Sequence, residues 1–99
     1  MTKRAAPPIH PGEHLAEHLD ELEISQYRLA KDIGVPPRRI NEIILSKRSI
    51  TADTALRLAR YFNTSAQYWM NLQANYELEI AAAILGKRLD REVKTRIAA

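Results

Sequence analysis

The chain has no cysteine, which excludes disulfides and thiolate metal sites. No apolar run approaches the ~20 residues of a membrane span, and the first residues lack the apolar core of a signal peptide. A soluble, cytoplasmic protein with no membrane partner is therefore expected. Glycine is scarce, three in 99 residues, and two of the three fall where helices are expected to stop. The long polar stretches that stay disordered are also lacking, since 45% of the residues are hydrophobic. A chain of this length forms one compact domain, small enough for oligomerisation to add to its stability.

Acidic residues run short in one particular place. Residues 1–24 carry two basic and five acidic side chains, whereas residues 25–48 carry six basic and two acidic. The formal net charge of +3 hides this asymmetry. A segment so biased is where a polyanion would be met.

That segment, Ser25 to Arg48, reads SQYRLAKDIGVPPRRINEIILSKR. Ser25 suits the N-cap of a first helix, because its hydroxyl accepts from free N–H groups of the first turn. Leu29, Ala30 and Ile33 supply a narrow apolar stripe. Gly34 provides a left-handed stop, and Val35 returns the chain to the core. Pro36 and Pro37 open a second helix, over about residues 36–45, where the first positions need no N–H donor. Ile40 and Ile43 form its buried side, leaving Arg38, Arg39, Asn41 and Glu42 facing outward. Two short helices about a glycine turn make a helix-turn-helix, and this one has the polarity of a unit that reads double-stranded DNA.

Each polar type has a use there. Arginine pairs with guanine O6 and N7, asparagine with adenine, and glutamate accepts from cytosine N4. The expected base contacts are therefore Arg38, Arg39, Asn41 and Glu42, with Pro37 at the leading edge. Gln26, Tyr27 and Arg28 open the first helix, which crosses the phosphate backbone in this motif, and Lys47 and Arg48 neutralise phosphates after the second.

Residues 1–9 hold two adjacent prolines and read as a flexible arm. His10-Pro11-Gly12-Glu13 opens a helix with Leu15, Leu19 and Leu22 as its buried stripe. Within it, His14, Glu17 and His18 match H-x-x-E-H, the inverted zincin pattern. A catalytic zinc needs a third ligand and a walled cleft, which so short a chain has little left to build. The two histidines are read as solvent-facing, and no catalytic residue, metal or cofactor is expected. Thr51 caps a further helix carrying Ala55, Leu58, Ala59 and Phe62, with Leu56 on its flank. Asn63 and Thr64 end it, and Ser65 caps a long helix from Ala66 to Leu85. Trp69, Leu72, Tyr76, Ile80 and Ile84 lie along that helix as core or dimer contacts, while Tyr68, Leu78 and Leu85 add apolar surface elsewhere around it. Gly86 stops it, and Asp90 is expected to cap a short last helix ending near Ile97. So much apolar surface beyond one stripe points to a homodimer.

Four blocks, HPGE at 10–13, SQYRLAKDIGVPPRRINEI at 25–43, ITADTALRLARYFNTS at 50–65 and YWMNLQANYELE at 68–79, resemble the HigA-type antitoxins. These are a branch of the Xre, lambda-repressor-like helix-turn-helix proteins. The resemblance implies an all-α, five-helix DNA-binding domain over residues 10–79, with 80–99 as a C-terminal helical extension. It implies a homodimer on a palindromic operator in its own promoter, and a RelE-like ribonuclease toxin neutralised by direct binding. The arm and first helix, together at a net −3, offer that basic toxin a surface. The alternative is a stand-alone Xre-family repressor with no toxin partner. Ser46 departs from the family pattern, where glycine often closes the recognition helix, so a differently shaped turn is expected there.

Overall fold

The computed structural model describes residues 7–97, so most of the expected arm lies outside the described residues. Six helices follow in order: α1 Pro11–Leu22, α2 Gln26–Ile33, α3 Pro37–Ile44, α4 Ala52–Phe62, α5 Ala66–Leu85 and α6 Arg88–Glu92. No strand occurs among the described residues. The chain is all-α, with the five helices expected of the domain and a short helix beyond them.

The helix starts follow local chemistry. Ser25, Thr51 and Ser65 each accept a hydrogen bond from a first-turn N–H, on Arg28, Thr54 and Tyr68 respectively. The cap of α1 is His10, whose Nδ1 accepts from Gly12 N–H at 2.9 Å. The imidazole is buried, and its ring meets Tyr76 edge-on with centroids 4.8 Å apart. Burial holds its pKa below the ordinary histidine value, with nearby Glu13 acting weakly in the other direction. An accepting Nδ1 carries no proton, so capping requires the neutral ring.

The first four helices each end at a left-handed residue. Gly34 takes this conformation at no steric cost, and Val35 N–H then reaches back to Ala30 O. Glu23, Ser46 and Asn63 adopt it too, with φ of 54°, 63° and 58°. At Ser46 the bonds from Ser46 N–H to Ile43 O and from Lys47 N–H to Glu42 O complete the same closing motif. The serine therefore makes the glycine-type turn, contrary to expectation, because two backbone bonds hold it there.

The core gathers Leu15 and Leu19 of α1, Leu29, Ala30 and Ile33 of α2, and Ile40 and Ile43 of α3. Ile50, Ala55, Leu58 and Trp69 close it from the later half. Trp69 is fully buried, and its indole N–H donates to Thr64 Oγ1 at 2.9 Å. Gln73 is also buried: its Oε1 accepts from Ile50 N–H at 2.8 Å and its Nε2 donates to Glu77. α5 is thereby fastened to the loop that follows α3. At the other end of the core, α1 meets α3 without any intervening side chain. A Cβ added at Gly12 would lie 2.0 Å from Ile43 O, so only glycine allows this approach.

Three further expectations change. Leu22 is 55% exposed, because the last turn of α1 has run past the core. His18 does not face solvent; its ring packs against Phe62, Tyr68 and Trp69, and its Nδ1 lies 2.8 Å from His14 O. The last helix starts after Lys87 and ends at Glu92, with Asp90 in its first turn and residues 93–97 outside it. The distal half of α5 leaves the core, which stretches the molecule to 53 × 31 × 21 Å. Trp69 is core, Leu72 packs against it, Tyr76 meets His10, and Ile84 is 70% exposed.

Candidate nucleic-acid interface

α2 and α3 are joined by the turn at Gly34, and Pro37 stands at the first position of α3. Ile40 and Ile43 fix the inner side of α3 at 0% exposure. The helix period then places Arg38 and Asn41 on the outer side; Tyr27 and Arg28 of α2, and Lys47 after the end of α3, are exposed as well. Gln26 reaches across from α2, its Oε1 accepting from Asn41 Nδ2 at 3.1 Å. These two amides form one polar platform spanning both helices.

The arginines are organised in pairs around carboxylates. Glu42 Oε2 accepts from Arg38 Nε at 2.8 Å, while Glu42 Oε1 accepts from Arg48 at 2.7 Å. Asp53, at the start of α4, receives Arg57 Nε at 2.8 Å and Arg39 Nη1 at 3.1 Å on a single oxygen. Arg57 also donates to Ile33 O at 2.8 Å and Gly34 O at 3.4 Å, the carbonyls that end α2. Asp32 receives Arg28 Nε at 2.9 Å and the Tyr61 hydroxyl at 3.0 Å. Hydrogen bonds from Arg38 and then Arg48 hold the Glu42 carboxyl below its ordinary value, and Arg57 does the same for Asp53. Such exposed pairs add little to stability, so their effect here is mainly on orientation.

The structure thus brings Gln26 to Asn41 and Arg38 to Glu42 and Arg48, in one surface. It sends Arg39 away from Arg38: the Arg39 side chain is 29% exposed against 85% for Arg38. Glu42 is turned into a holder of arginines, since both of its oxygens already accept from them. Asp53 and Arg57 were not singled out from the sequence. Their one trace there is an i,i+4 acid–base spacing close behind a basic helix. Beside them runs an open groove of ≈ 760 Å³, lined by Leu56, Tyr61 and Arg60 among others; its carboxylates, Asp32 and Asp53, are already bound to arginine. Among the described residues, no three histidine or acidic side chains converge as metal ligands.

Two short helices about a glycine turn, the second bedded on the core and outwardly basic, define a helix-turn-helix protein. A family model for the helix-turn-helix matches residues 15–69, more than half of the chain. The virulence-associated protein I of Dichelobacter nodosus is 52% identical over 80 residues, which are 80% of this chain and 74% of that protein. An addiction module antidote protein of the HigA family from Coxiella burnetii superposes with a TM-score of 0.89 at 46% identity, covering 92% of this chain and 100% of its own. The Pseudomonas aeruginosa antitoxin HigA, solved with the higBA promoter, gives a TM-score of 0.86 at 47% identity, over 91% of this chain and 99% of that one. This chain belongs to the helix-turn-helix family, in its HigA-type antitoxin branch.

Proposed function

We propose that the protein is the antitoxin of a toxin–antitoxin pair, which neutralises a RelE-like ribonuclease toxin and represses its own operon. The observation that carries the DNA half of this reading is the outer side of α3. There Arg38 and Asn41, the latter bonded to Gln26 of α2, stand clear of the core on a helix whose other side is fully buried. Solved relatives of the same branch carry promoter or operator DNA, which supports the assignment. Arg38, Asn41 and, through its remaining N–H groups, Arg39 then reach base edges; Pro37 sits at the leading edge. Gln26, Tyr27, Arg28, Lys47 and Arg48 follow the phosphates, and Glu42 acts by orienting Arg38 and Arg48.

Exposed Leu78 and Ile84 on α5, with Leu89 and Val93 beyond, support a homodimer. Its two α3 helices would enter half-sites ~34–36 Å apart on a palindromic operator. The toxin meets the other pole of the charge distribution. Glu13, Glu17, Asp20, Glu21 and Glu23 on and after α1 are all exposed, which suits a basic ribonuclease.

The test is co-expression with the protein encoded beside it, read as growth and as a pulldown, with a promoter-binding assay in parallel. A tight complex that rescues cells from a toxic neighbour is the expected result. Promoter binding without complex or toxicity would make it a stand-alone repressor instead.

A further inference from the structure

We propose that Asp53 is a positioning residue for Arg39, so that the sequence preference of the recognition helix is set partly from α4, which lies outside it. The inference rests on α3 being the DNA-reading helix, as proposed above.

An arginine distinguishes guanine by presenting two N–H groups in a fixed plane, and its long stem does not supply that plane unaided. Among the described residues, Arg38 is tied only to Glu42, one turn along its own helix. Arg39 is tied to another element, and the line of contacts behind it ends in backbone. Asp53 Oδ1 accepts from Arg39 Nη1 at 3.1 Å and from Arg57 Nε at 2.8 Å, and Arg57 Nη1 is held 2.8 Å from Ile33 O. The carboxylate cannot swing without breaking its own bond to Arg57, a side chain that is itself held on the turn joining α2 and α3. Arg39 spends one of its five N–H groups on Asp53 and keeps the rest for a base edge or phosphate.

The sign of the charge separates orientation from affinity. A carboxylate on a surface that meets phosphates weakens binding to any DNA. If Asp53 contributes, it contributes discrimination at the expense of general affinity, and the two quantities should move in opposite directions when it is removed.

The experiment selects binding sequences from a random duplex library with the wild-type protein. Affinity is then measured for every single-base variant of the selected site, with wild type, Arg39→Ala, Asp53→Ala and Arg57→Lys. Lysine at 57 keeps the charge but lacks the planar fork that bonds Asp53 and the turn together. Arg39→Ala is expected to flatten preference at one base position by about tenfold. Asp53→Ala and Arg57→Lys should flatten the same position, with the double variant D53A/R39A no worse there than R39A. Binding of D53A to unselected DNA should be equal or tighter, and its melting temperature unchanged.

Three outcomes would overturn the proposal. An even loss at all positions would mean that Asp53 is merely structural. Retained preference in both D53A and R57K, while R39A loses it, would remove the positioning role and leave DNA reading intact. A wild type that selects no sequence, or an Arg39→Ala that alters no position, would instead remove the reading on which the proposal rests.

Discussion

The two sides of α3 follow opposite rules. Its inner side is specified to the atom: Ile40 and Ile43 have no exposed surface, and the backbone at Ile43 lies against Gly12 with no room for a methyl group. Its outer side is built of polar and charged groups that hold one another by hydrogen bonds, with Arg38 and Asn41 open to water. Packing errors inside are costly because the interior is close-packed. Changes outside are cheap for the fold and matter for what the helix meets.

The largest expected effect therefore lies on the inner side. Gly12→Ala places its Cβ 2.0 Å from Ile43 O, far inside van der Waals contact, so α1 must move off α3, at a cost of about 3 kcal/mol in chemical denaturation. A fully stable, fully folded variant would show that the two helices are not bedded on one another as described.

Arg38→Ala tests the outer side. It should cost about 1–3 kcal/mol at the selected DNA site and relax base preference, with stability changed by less than ~0.5 kcal/mol. Gel-shift titration beside a denaturation curve separates the two quantities. A loss of stability as large as the loss of binding would erase the distinction between the sides.

The smallest effect sharpens the contrast through pH. His10 supports the inner side by capping α1 at Gly12, and its pKa is lowered in the folded state by burial. In the unfolded chain the ring takes up a proton as pH falls below its ordinary value of 6.5, while the folded ring resists it. The resulting stabilisation is complete above that value and declines as pH falls through it towards the lower folded pKa. Glu42 and Asp53 are shifted down from values of 4.5 and 3.8, so the outer pairs stay intact over the same window. Melting temperature should fall between about pH 7.5 and 5.5, and His10→Asn, which keeps a capping acceptor, should remove the part of that slope due to His10. An unchanged slope in His10→Asn would show that the cap does not titrate.

Much of this was legible in the sequence, for reasons that are local. Ser25, Gly34, Thr51 and Ser65 announce helix boundaries because capping involves neighbours within a few residues. The apolar stripes of α2 and α3 were legible because burial follows the helix period. What was hidden depends on distant partners. Asp53 meets Arg39 fourteen residues away, and Gln73 meets Ile50 twenty-three away, with no local pattern to mark either bond. Ser46 and Glu23 as left-handed residues contradict propensity and are held by backbone bonds that only the folded turn supplies. His10 was legible as part of the opening of α1, but its capping role depends on its tautomer and on burial against Tyr76.

The bond from Ile50 to Gln73 has a mechanical meaning. α5 is a rod of twenty residues, about 30 Å long, gripped near its first third and free at its far end. A rod held in that way is a lever whose short arm is geared to the loop behind α3. The helix that carries the exposed Leu78 and Ile84 is thus the same one that closes the backbone of the loop behind α3.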